Sequence, residues 1–297
     1  MLDSFYLISF KFFSFFVKHT PKCITNKILI FLAFLAYKLD TRHRKIALTN
    51  FKLAYGTKLS LQEQTRIIKH CYKNLLYNMR DFIMNQGISK EELLKKVTVH
   101  NEHFYEQAKA YGKGIIFQTA HYGNWELMAL SIGAKYGNIS VVGRKLDSPK
   151  MNTILEKNRE QMNVTLLDKN GALRGMMKAL KQKENVGLLV DQNTKDTEGI
   201  LIVFFGKRAR HTPSAALVSR KMGAPILPVF ITTNDYEHFD LTFYEPFFTP
   251  KTDDNEADIL ASVQKQAEIT QKVIEAKPDE WFWFHRRWKN QYEELYK

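Results

Sequence analysis

Residues 114–126 read Gly-Ile-Ile-Phe-Gln-Thr-Ala-His-Tyr-Gly-Asn-Trp-Glu, and the fold class can be read from this stretch. The run at 114–119 is short and mainly apolar, which is typical of a strand buried on both faces of a sheet. A turn at Gly123 follows, and the pattern from about 123 to 134 predicts a helix. A strand that passes through a tight turn into a helix is the repeating unit of a parallel α/β sheet.

The same alternation of strands and helices continues toward the carboxyl terminus. Predicted strands lie at 139–142, 165–167, 186–190, 200–205 (hairpin-like), 226–232 and 239–243. Predicted helices lie at 60–85, 149–162, 172–182, 213–222 and 256–276, with a short helix from 89. The sequence therefore predicts an α/β fold with a mainly parallel sheet covered by helices on both faces. Because no linker interrupts the pattern, we assign residues 41–297 to one domain.

Composition limits the classes of protein that fit. The chain has 297 residues, 44% of them hydrophobic and 25% charged, which excludes global disorder. Its two cysteines, Cys23 and Cys71, are too few for a disulfide-rich module or a four-cysteine zinc site, and we expect reduced thiols. The net charge of +13 predicts an acidic partner: nucleic acid, an anionic membrane, a phosphorylated ligand or an acidic protein.

The first forty residues contain two strongly apolar runs, at 5–17 and 28–37. Neither reaches the roughly 20 residues needed to cross a bilayer, and no signal-peptide pattern is present. Lysines flank the runs, at positions 11, 18, 22 and 27. We interpret residues 1–40 as hydrophobic membrane-anchoring helices that lie at the headgroup level of an anionic leaflet. The alternatives are two buried core helices, or one tilted span that would have to bury lysines.

In an open α/β sheet, chemistry concentrates at the carboxyl ends of the strands, and His121 directly follows the first predicted strand. A histidine acts as a general base when a carboxylate on its other ring nitrogen holds one tautomer. Glu126 lies five positions later, so the two side chains can meet only if His121 is in the loop and Glu126 is in the first helical turn. This spacing is expected about once by chance in such a composition, so it carries weight only through its strand–turn–helix context.

Residues 121–126, His-Tyr-Gly-Asn-Trp-Glu, resemble the His-x4-Asp/Glu block of the glycerolipid acyltransferase superfamily. The Gly-Asn-Trp-Glu form is similar to that of the late acyltransferases of lipid A biosynthesis, the lauroyl/myristoyl branch. Further resemblances to that family follow in order along residues 40 to 290. They are Val-Val-Gly-Arg at 141–144, Asp-Gln at 191–192 with 199–206, Ala-Pro-Ile-Leu-Pro-Val at 224–229, and the Trp- and Arg-rich run at 281–289.

The resemblance implies an enzyme that transfers a fatty acyl chain from acyl carrier protein to a hydroxyl of a Kdo-bearing lipid A precursor. It implies His121 as general base, with Glu126 orienting the imidazole in a His–Glu dyad, and neither a metal nor a cofactor. The expected location is the cytoplasmic face of the bacterial inner membrane. The expected partners are the carrier protein, the lipid precursor and the anionic membrane surface, and not nucleic acid.

Four further residues are predicted to bind substrate. By resemblance, Arg144 holds a substrate phosphate, although a surface arginine at a strand end is the alternative. Asp191 and Gln192 follow a predicted strand and either line the pocket or cap a turn. Asn124, beside backbone N–H groups at the start of a helix, is a candidate for oxyanion stabilisation.

Other functions stay open. The acceptor could be a glycerolipid or another glycolipid such as a phosphatidylinositol mannoside, and the donor could be coenzyme A. A different class is a non-catalytic basic protein that binds membrane or nucleic acid through clusters such as residues 41–45. Against nucleic acid, the sequence lacks helix-turn-helix, zinc-finger and RRM-type patterns.

Overall fold

The computed structural model describes residues 2–143, 145–169 and 171–297. Its α-helices are α1 Leu2–His19, α2 Lys22–Leu39, α3 Thr41–Tyr55, α4 Leu61–Met84, α5 Lys90–Lys95, α6 Glu102–Lys109, α7 Trp125–Tyr136, α8 Pro149–Glu160, α9 Ala172–Lys181, α10 Ser214–Met222 and α11 Asn255–Ala276. Its strands are β1 Val97–His100, β2 Ile116–Thr119, β3 Ile139–Gly143, β4 Val164–Asp168, β5 Asn185–Leu189, β6 Ile200–Phe204, β7 Lys207–His211, β8 Ile226–Thr233 and β9 Phe239–Phe243. Two short 3₁₀ helices, Pro278–Glu280 and Glu293–Tyr296, lie near the carboxyl terminus.

Seven strands form one sheet in the order β1-β9-β8-β2-β5-β3-β4. The run from β8 to β4 is parallel throughout, whereas β9 lies antiparallel to β8 and carries β1 parallel to itself. The prediction of a mainly parallel sheet is therefore confirmed. The hairpin-like segment is one half of a true hairpin, because β6 pairs antiparallel with β7 in a separate two-stranded sheet.

Helices cover both faces of the sheet, as predicted. In β2, Phe117 packs into a core with Leu127 of α7, whereas its neighbour Ile116 packs into a second core with Val218 of α10. The connections that leave β2 and β5 therefore run to opposite faces, and such a divergence opens a crevice at the carboxyl ends of the two strands.

The amino-terminal part of the sheet was not predicted. Strand β1, Val-Thr-Val-His, alternates half-buried with exposed residues at the edge of the sheet, and it is too short and polar to stand out in the sequence. Helix α6 begins at Asn101, whose backbone is left-handed (φ 57°) and which supplies no capping hydrogen bond, so the usual start signal is missing.

The two apolar runs of the amino terminus lie in α1 and α2. One side of these helices packs on the protein: Leu29 and Ala33 are buried, and Phe10 contacts Phe82 of α4 edge-to-face. The other side exposes large apolar residues: Ile8, Phe12, Phe15, Ile24, Ile30, Phe31, Phe34, Leu35 and Leu39. Among the described residues, no helix combines the length and apolar character needed to cross a membrane. The division into an anchor at 1–40 and a domain at 41–297 remains a prediction.

The carboxyl-terminal segment, residues 281–297, packs against the sheet at the carboxyl end of β2, where Trp281 pairs with Tyr122. Trp281, Trp283 and Trp288 are almost completely buried, and the ring of Phe51 in α3 stacks on Trp283 at a centroid distance of 4.1 Å. The side-chain amide of Asn50 donates to the carbonyl groups of Trp283 and His285, at 2.7 and 2.8 Å. These contacts hold the segment close to His121.

Candidate active site

The turn between β2 and α7 is fixed by Gly123. Its φ is +59°, a left-handed conformation that glycine adopts without penalty, and a Cβ atom at this position would lie 1.9 Å from the carbonyl oxygen of Ile231. Its own N–H donates to the carbonyl of Glu280 at 2.9 Å. The turn places His121 in the loop and Glu126 in the first turn of α7, as the predicted dyad required.

Asn124 caps α7. Its side-chain oxygen accepts from the N–H of Leu127 at 3.1 Å, and its side-chain nitrogen donates to Asp81 at 3.1 Å. The residue is buried, and both ends of its amide are engaged by the protein. Capping satisfies a backbone N–H that the helix leaves unpaired, and the role of Asn124 in substrate binding stays a prediction.

The imidazole of His121 is held by Asp191. Its Nδ1 lies 2.9 Å from Oδ1 of Asp191, and Oδ2 of the same carboxylate accepts from the indole N–H of Trp281 at 2.8 Å. Asp191 is 3% exposed, whereas the His121 side chain is 23% exposed. Both oxygen atoms of Asp191 are thus occupied by protein donors, and its role in substrate binding stays a prediction.

The charge of Asp191 decides which tautomer His121 adopts. Burial alone would raise the pKa of Asp191, but the charge of His121 and the hydrogen bonds from His121 and Trp281 outweigh it and hold that pKa well below its usual range. An ionised Asp191 can only accept, so in the neutral ring Nδ1 carries the proton and Nε2 has the lone pair. The side-chain amide of Gln192 donates to Nε2 at 3.2 Å. His121 thus presents a basic nitrogen toward the crevice.

Glu126 is bound to a different partner from the predicted one. Its two oxygen atoms accept from Nη2 and Nε of Arg159 in α8, at 2.6 and 3.0 Å, a bidentate pair. Nδ1 of His121 is occupied by Asp191, so the structure does not bring Glu126 to the imidazole as the predicted His–Glu dyad requires. The physical reason is that the end of β5 places Asp191 at the imidazole of His121, whereas the first turn of α7 faces α8.

Arg144, the predicted phosphate-binding residue, lies outside the described residues. Among those that are described, no three or more His, Cys, Asp or Glu side chains come together as a metal site.

Two site residues escaped the sequence analysis. Arg159 lies on a helix 33 residues from Glu126, and nothing in its local pattern marks it as a partner. Trp281 belongs to the run at 281–289 that resembles the family, but the sequence did not indicate that its indole N–H donates to Asp191. One signal in the sequence could have indicated the contact between His121 and Asp191. β2 and β5 are both buried strands followed by polar residues, and these polar residues meet if the two strands are neighbours.

Comparison with known proteins identifies the family. A family model described as bacterial lipid A biosynthesis acyltransferase matches residues 3–290, and so spans every site residue described above. The chain belongs to this family. The lipid A acyltransferase family thus accounts for the resemblance noted in the sequence, and the chain is an acyltransferase.

Individual relatives of this lipid A acyltransferase are distant. The chain is 25% identical over 258 residues to a lipid A biosynthesis lauroyltransferase of Escherichia coli strain K12, covering 86% of this chain and 82% of that one. It is 23% identical over 253 residues to a palmitoleoyltransferase of the same organism, covering 84% and 79%. A phosphatidylinositol mannoside acyltransferase of Mycobacterium tuberculosis is 22% identical over 186 residues, covering 62% and 57%.

Proposed function

We propose that this protein transfers a fatty acyl chain from the thioester of acyl carrier protein to a hydroxyl of a Kdo-bearing lipid A precursor, with His121 as general base. The observation that carries the proposal is the array Asp191–His121, in which a buried carboxylate fixes the proton on Nδ1 and leaves on Nε2 the lone pair that accepts a proton once the Gln192 amide is displaced. Membership of an acyltransferase family argues against a non-catalytic binding protein.

The reaction follows from this arrangement. The acceptor hydroxyl gives its proton to Nε2 of His121 while its oxygen attacks the thioester carbonyl carbon, forming a C–O bond. The tetrahedral intermediate then breaks its C–S bond, and the imidazolium returns the proton to the departing sulfur. The products are an ester of the lipid and the carrier with a free thiol, so no acyl-enzyme is needed.

Asp191 contributes most when His121 is protonated. The imidazolium that forms during attack is 2.9 Å from a carboxylate that water hardly reaches, and a charge pair in such a site is worth more than in water. Trp281 keeps the carboxylate oriented toward the ring. The pair therefore stabilises the transition state more than the ground state.

A basic groove supports a carrier protein as the donor. The groove lies between α3 and the carboxyl-terminal segment, has a volume of about 360 Å³, and is lined by Arg42, Lys45 and Arg286. Among the lining residues that the structure describes, none is Asp or Glu. Such a surface fits an acidic carrier protein, because a basic face complements an acidic one.

The exposed apolar faces of α1 and α2 support attachment to the cytoplasmic face of a bacterial inner membrane. On α1, Ile8, Phe12 and Phe15 recur at helical spacing and are 66%, 74% and 64% exposed. A helix with one side packed on the protein and an aromatic side exposed lies in the plane of the headgroups. This position brings the site to a lipid acceptor.

The similarity to phosphatidylinositol mannoside acyltransferases favours a second acceptor class, a glycolipid without the Kdo-bearing core. The experiment below separates the two acceptors.

The test is transfer by the purified full-length enzyme from acyl carrier protein thioesters to defined lipid acceptors, followed by intact mass of the product. We expect one added acyl ester on the Kdo-bearing precursor, and a loss of 10²- to 10⁴-fold in turnover for His121→Ala. A matched control is His103→Ala, an exposed histidine on α6 that should retain full activity.

Three outcomes would contradict the proposal. Folded His121→Ala with normal turnover would exclude the general base. Acylation of a phosphatidylinositol mannoside or lysophospholipid alone would exclude the lipid A acceptor. Equal use of acyl-coenzyme A, unaffected by Arg42→Glu together with Lys45→Glu, would exclude the carrier and its groove.

A further inference from the structure

The carboxyl-terminal segment contacts the candidate active site at three points. The indole of Trp281 donates to Asp191, and the backbone N–H of Phe282 donates to the carbonyl of His121 at 2.9 Å. At the third point, the guanidinium of Arg287 donates to the backbone carbonyl of Gln192 at 3.4 Å. Gln192 is the residue whose side-chain amide sits on Nε2 of His121.

Arg287 is unusual because its guanidinium is completely buried without an acidic partner. Its exposure is 0%, and its donors go to the carbonyl groups of Gln192 and Arg210 and, at 3.1 Å, to Nδ1 of His211. Among the described residues, no carboxylate lies within the 4.0 Å of an ion pair, and its Nε has no partner. Burial lowers the pKa of Arg287 to about 10, so the group stays charged at neutral pH.

A buried cation without an ion-pair partner is costly, and apolar replacement of buried charged groups is often neutral or stabilising. The contacts of Arg287 indicate a role for its positive charge. It joins the turn after β5 to the end of β7, and it lies close enough to Asp191 for that carboxylate to raise its pKa against the effect of burial. The guanidinium thus balances the second buried charge of the site and fixes the backbone from which Gln192 extends.

The side-chain amide of Gln192 occupies Nε2 of His121, the nitrogen that acts as the base. In the free enzyme its amide N–H fills the lone pair of Nε2, where the acceptor hydroxyl must bind. Since the amide nitrogen and Nε2 are 3.2 Å apart, a hydroxyl that takes this place displaces the amide to a position within hydrogen-bond reach of the carbonyl that the hydroxyl attacks. A side-chain N–H at that distance is suited to donate to the oxyanion of the tetrahedral intermediate.

We propose that Gln192 covers the base in the free enzyme and becomes an oxyanion donor once the acceptor displaces it, and that Arg287 is the positioning residue that holds Gln192 in place for both tasks. The proposal rests on the general-base function of His121. It assigns a role to the buried arginine that protein stability alone does not explain.

The experiment measures kcat and KM for both substrates in the full-length enzyme, with folding followed by thermal unfolding. The variants are Gln192→Ala, Arg287→Lys, Arg287→Met and the double variant Gln192→Ala/Arg287→Met. Arg208→Met is the matched control, since Arg208 is an exposed arginine on β7 of the same hairpin. We expect Gln192→Ala and Arg287→Met to lower kcat by about 10²-fold or more, as for loss of an oxyanion donor, with KM changed by less than about threefold.

The double variant tests whether the two residues act as one unit. If Arg287 acts through Gln192, the double variant should be no slower than the worse single variant within about threefold. Arg287→Lys keeps the charge but loses the planar, forked guanidinium. Its kcat should therefore lie between those of wild type and Arg287→Met. The proposal is overturned if the losses in kcat of the two single variants multiply in the double variant. It is also overturned if Gln192→Ala has the kcat of wild type.

Failure of this inference is distinguishable from failure of the proposed function. If wild type is active and His121→Ala is not, but Arg287→Met merely unfolds at a lower temperature with unchanged kcat, then Arg287 is structural and the inference is wrong. If Arg287→Met does not fold, Gln192→Ala and its combination with Arg287→Lys carry the same comparison. If His121→Ala retains activity, the proposed function fails first.

Discussion

His121 and Asp191 are 70 residues apart in the sequence, and their side chains lie 2.9 Å apart in the structure. The register of the sheet brings them together. Thr119 at the end of β2 pairs with Leu189 at the end of β5, and each site residue lies two positions beyond its strand. Two neighbouring parallel strands therefore end in a base and its orienting carboxylate, which couples the geometry of the site to the core of the sheet.

The first prediction concerns the tautomer of His121. Asp191→Asn removes the anion that fixes the proton on Nδ1, so we expect both tautomers of the ring and a loss of 10²- to 10⁴-fold in kcat. Nitrogen NMR of ¹⁵N-histidine-labelled enzyme reports the tautomer, and steady-state kinetics report kcat. Asp196→Asn, an exposed aspartate of the following loop, should change neither measurement. An unchanged histidine spectrum in Asp191→Asn would show that the carboxylate does not orient the ring.

The second prediction separates Glu126 from His121. Because Glu126 pairs with Arg159, Glu126→Gln should leave the ¹⁵N signals of His121 as in wild type. Glu126→Ala and Arg159→Ala should each lower the free energy of unfolding by about 1–2 kcal/mol, and their combination by less than the sum, because they share one interaction. Loss of the Nδ1–H signal in Glu126→Gln would restore the His–Glu dyad that the sequence suggested.

The sequence predicted the strand–turn–helix around His121 correctly, because a buried strand, a glycine turn at Gly123 and an apolar helix-forming run after it are local signals. It did not predict which carboxylate meets the imidazole. That choice depends on strand order: β5 lies beside β2 although β3 and β4 come between them in the chain. Local spacing favoured Glu126, whereas sheet topology selects Asp191. The edge strand β1 escaped prediction for a related reason, since its four residues gain their structure only from pairing with β9.

The third prediction concerns the turn that carries His121. Gly123 and Gly137 both have positive φ, but a Cβ would collide with the backbone of Ile231 only at Gly123. Gly137→Ala should therefore cost about 1–2 kcal/mol from backbone strain alone. Gly123→Ala adds a collision with immovable backbone and should destabilise by at least twice as much while lowering kcat. Chemical denaturation compares the two variants, and equal losses would mean that the close approach to Ile231 has no energetic weight.

The fourth prediction is a loss of stability in acid. Burial, with the charge of Arg287 second, lowers the pKa of His211 to about 3, and burial lowers that of His285 to about 4. The unfolded chain protonates these residues below about pH 6.5, whereas the native protein does not. Stability is therefore full above that pH and falls by about 1.4 kcal/mol per pH unit per histidine until the folded pKa is reached.

Substitution tests the origin of this acid slope. His211→Asn keeps an acceptor for Arg287 and removes one titrating group, so unfolding free energies measured from pH 7 to pH 4 should fall less steeply than in wild type. His103→Gln, at an exposed position, should reproduce the wild-type slope. The same slope in His211→Asn would mean that His211 already binds its proton in the native state.

The last prediction concerns the membrane, and it separates apolar burial from charge. Phe12 and Phe15 are 74% and 64% exposed, so Phe12→Ser/Phe15→Ser should leave the fold intact. Burying each ring in the headgroup region is worth about 1.5–3 kcal/mol, so the double variant should bind anionic vesicles at least tenfold more weakly. Wild type should stay bound when salt rises, because only the attraction of its Lys and Arg side chains to the lipid is screened, whereas the double variant should be released. Leu260→Ser, an exposed apolar residue on α11, should bind like wild type in vesicle sedimentation. Release of wild type by salt, with no effect of the double substitution, would show that α1 and α2 serve only to cover α4.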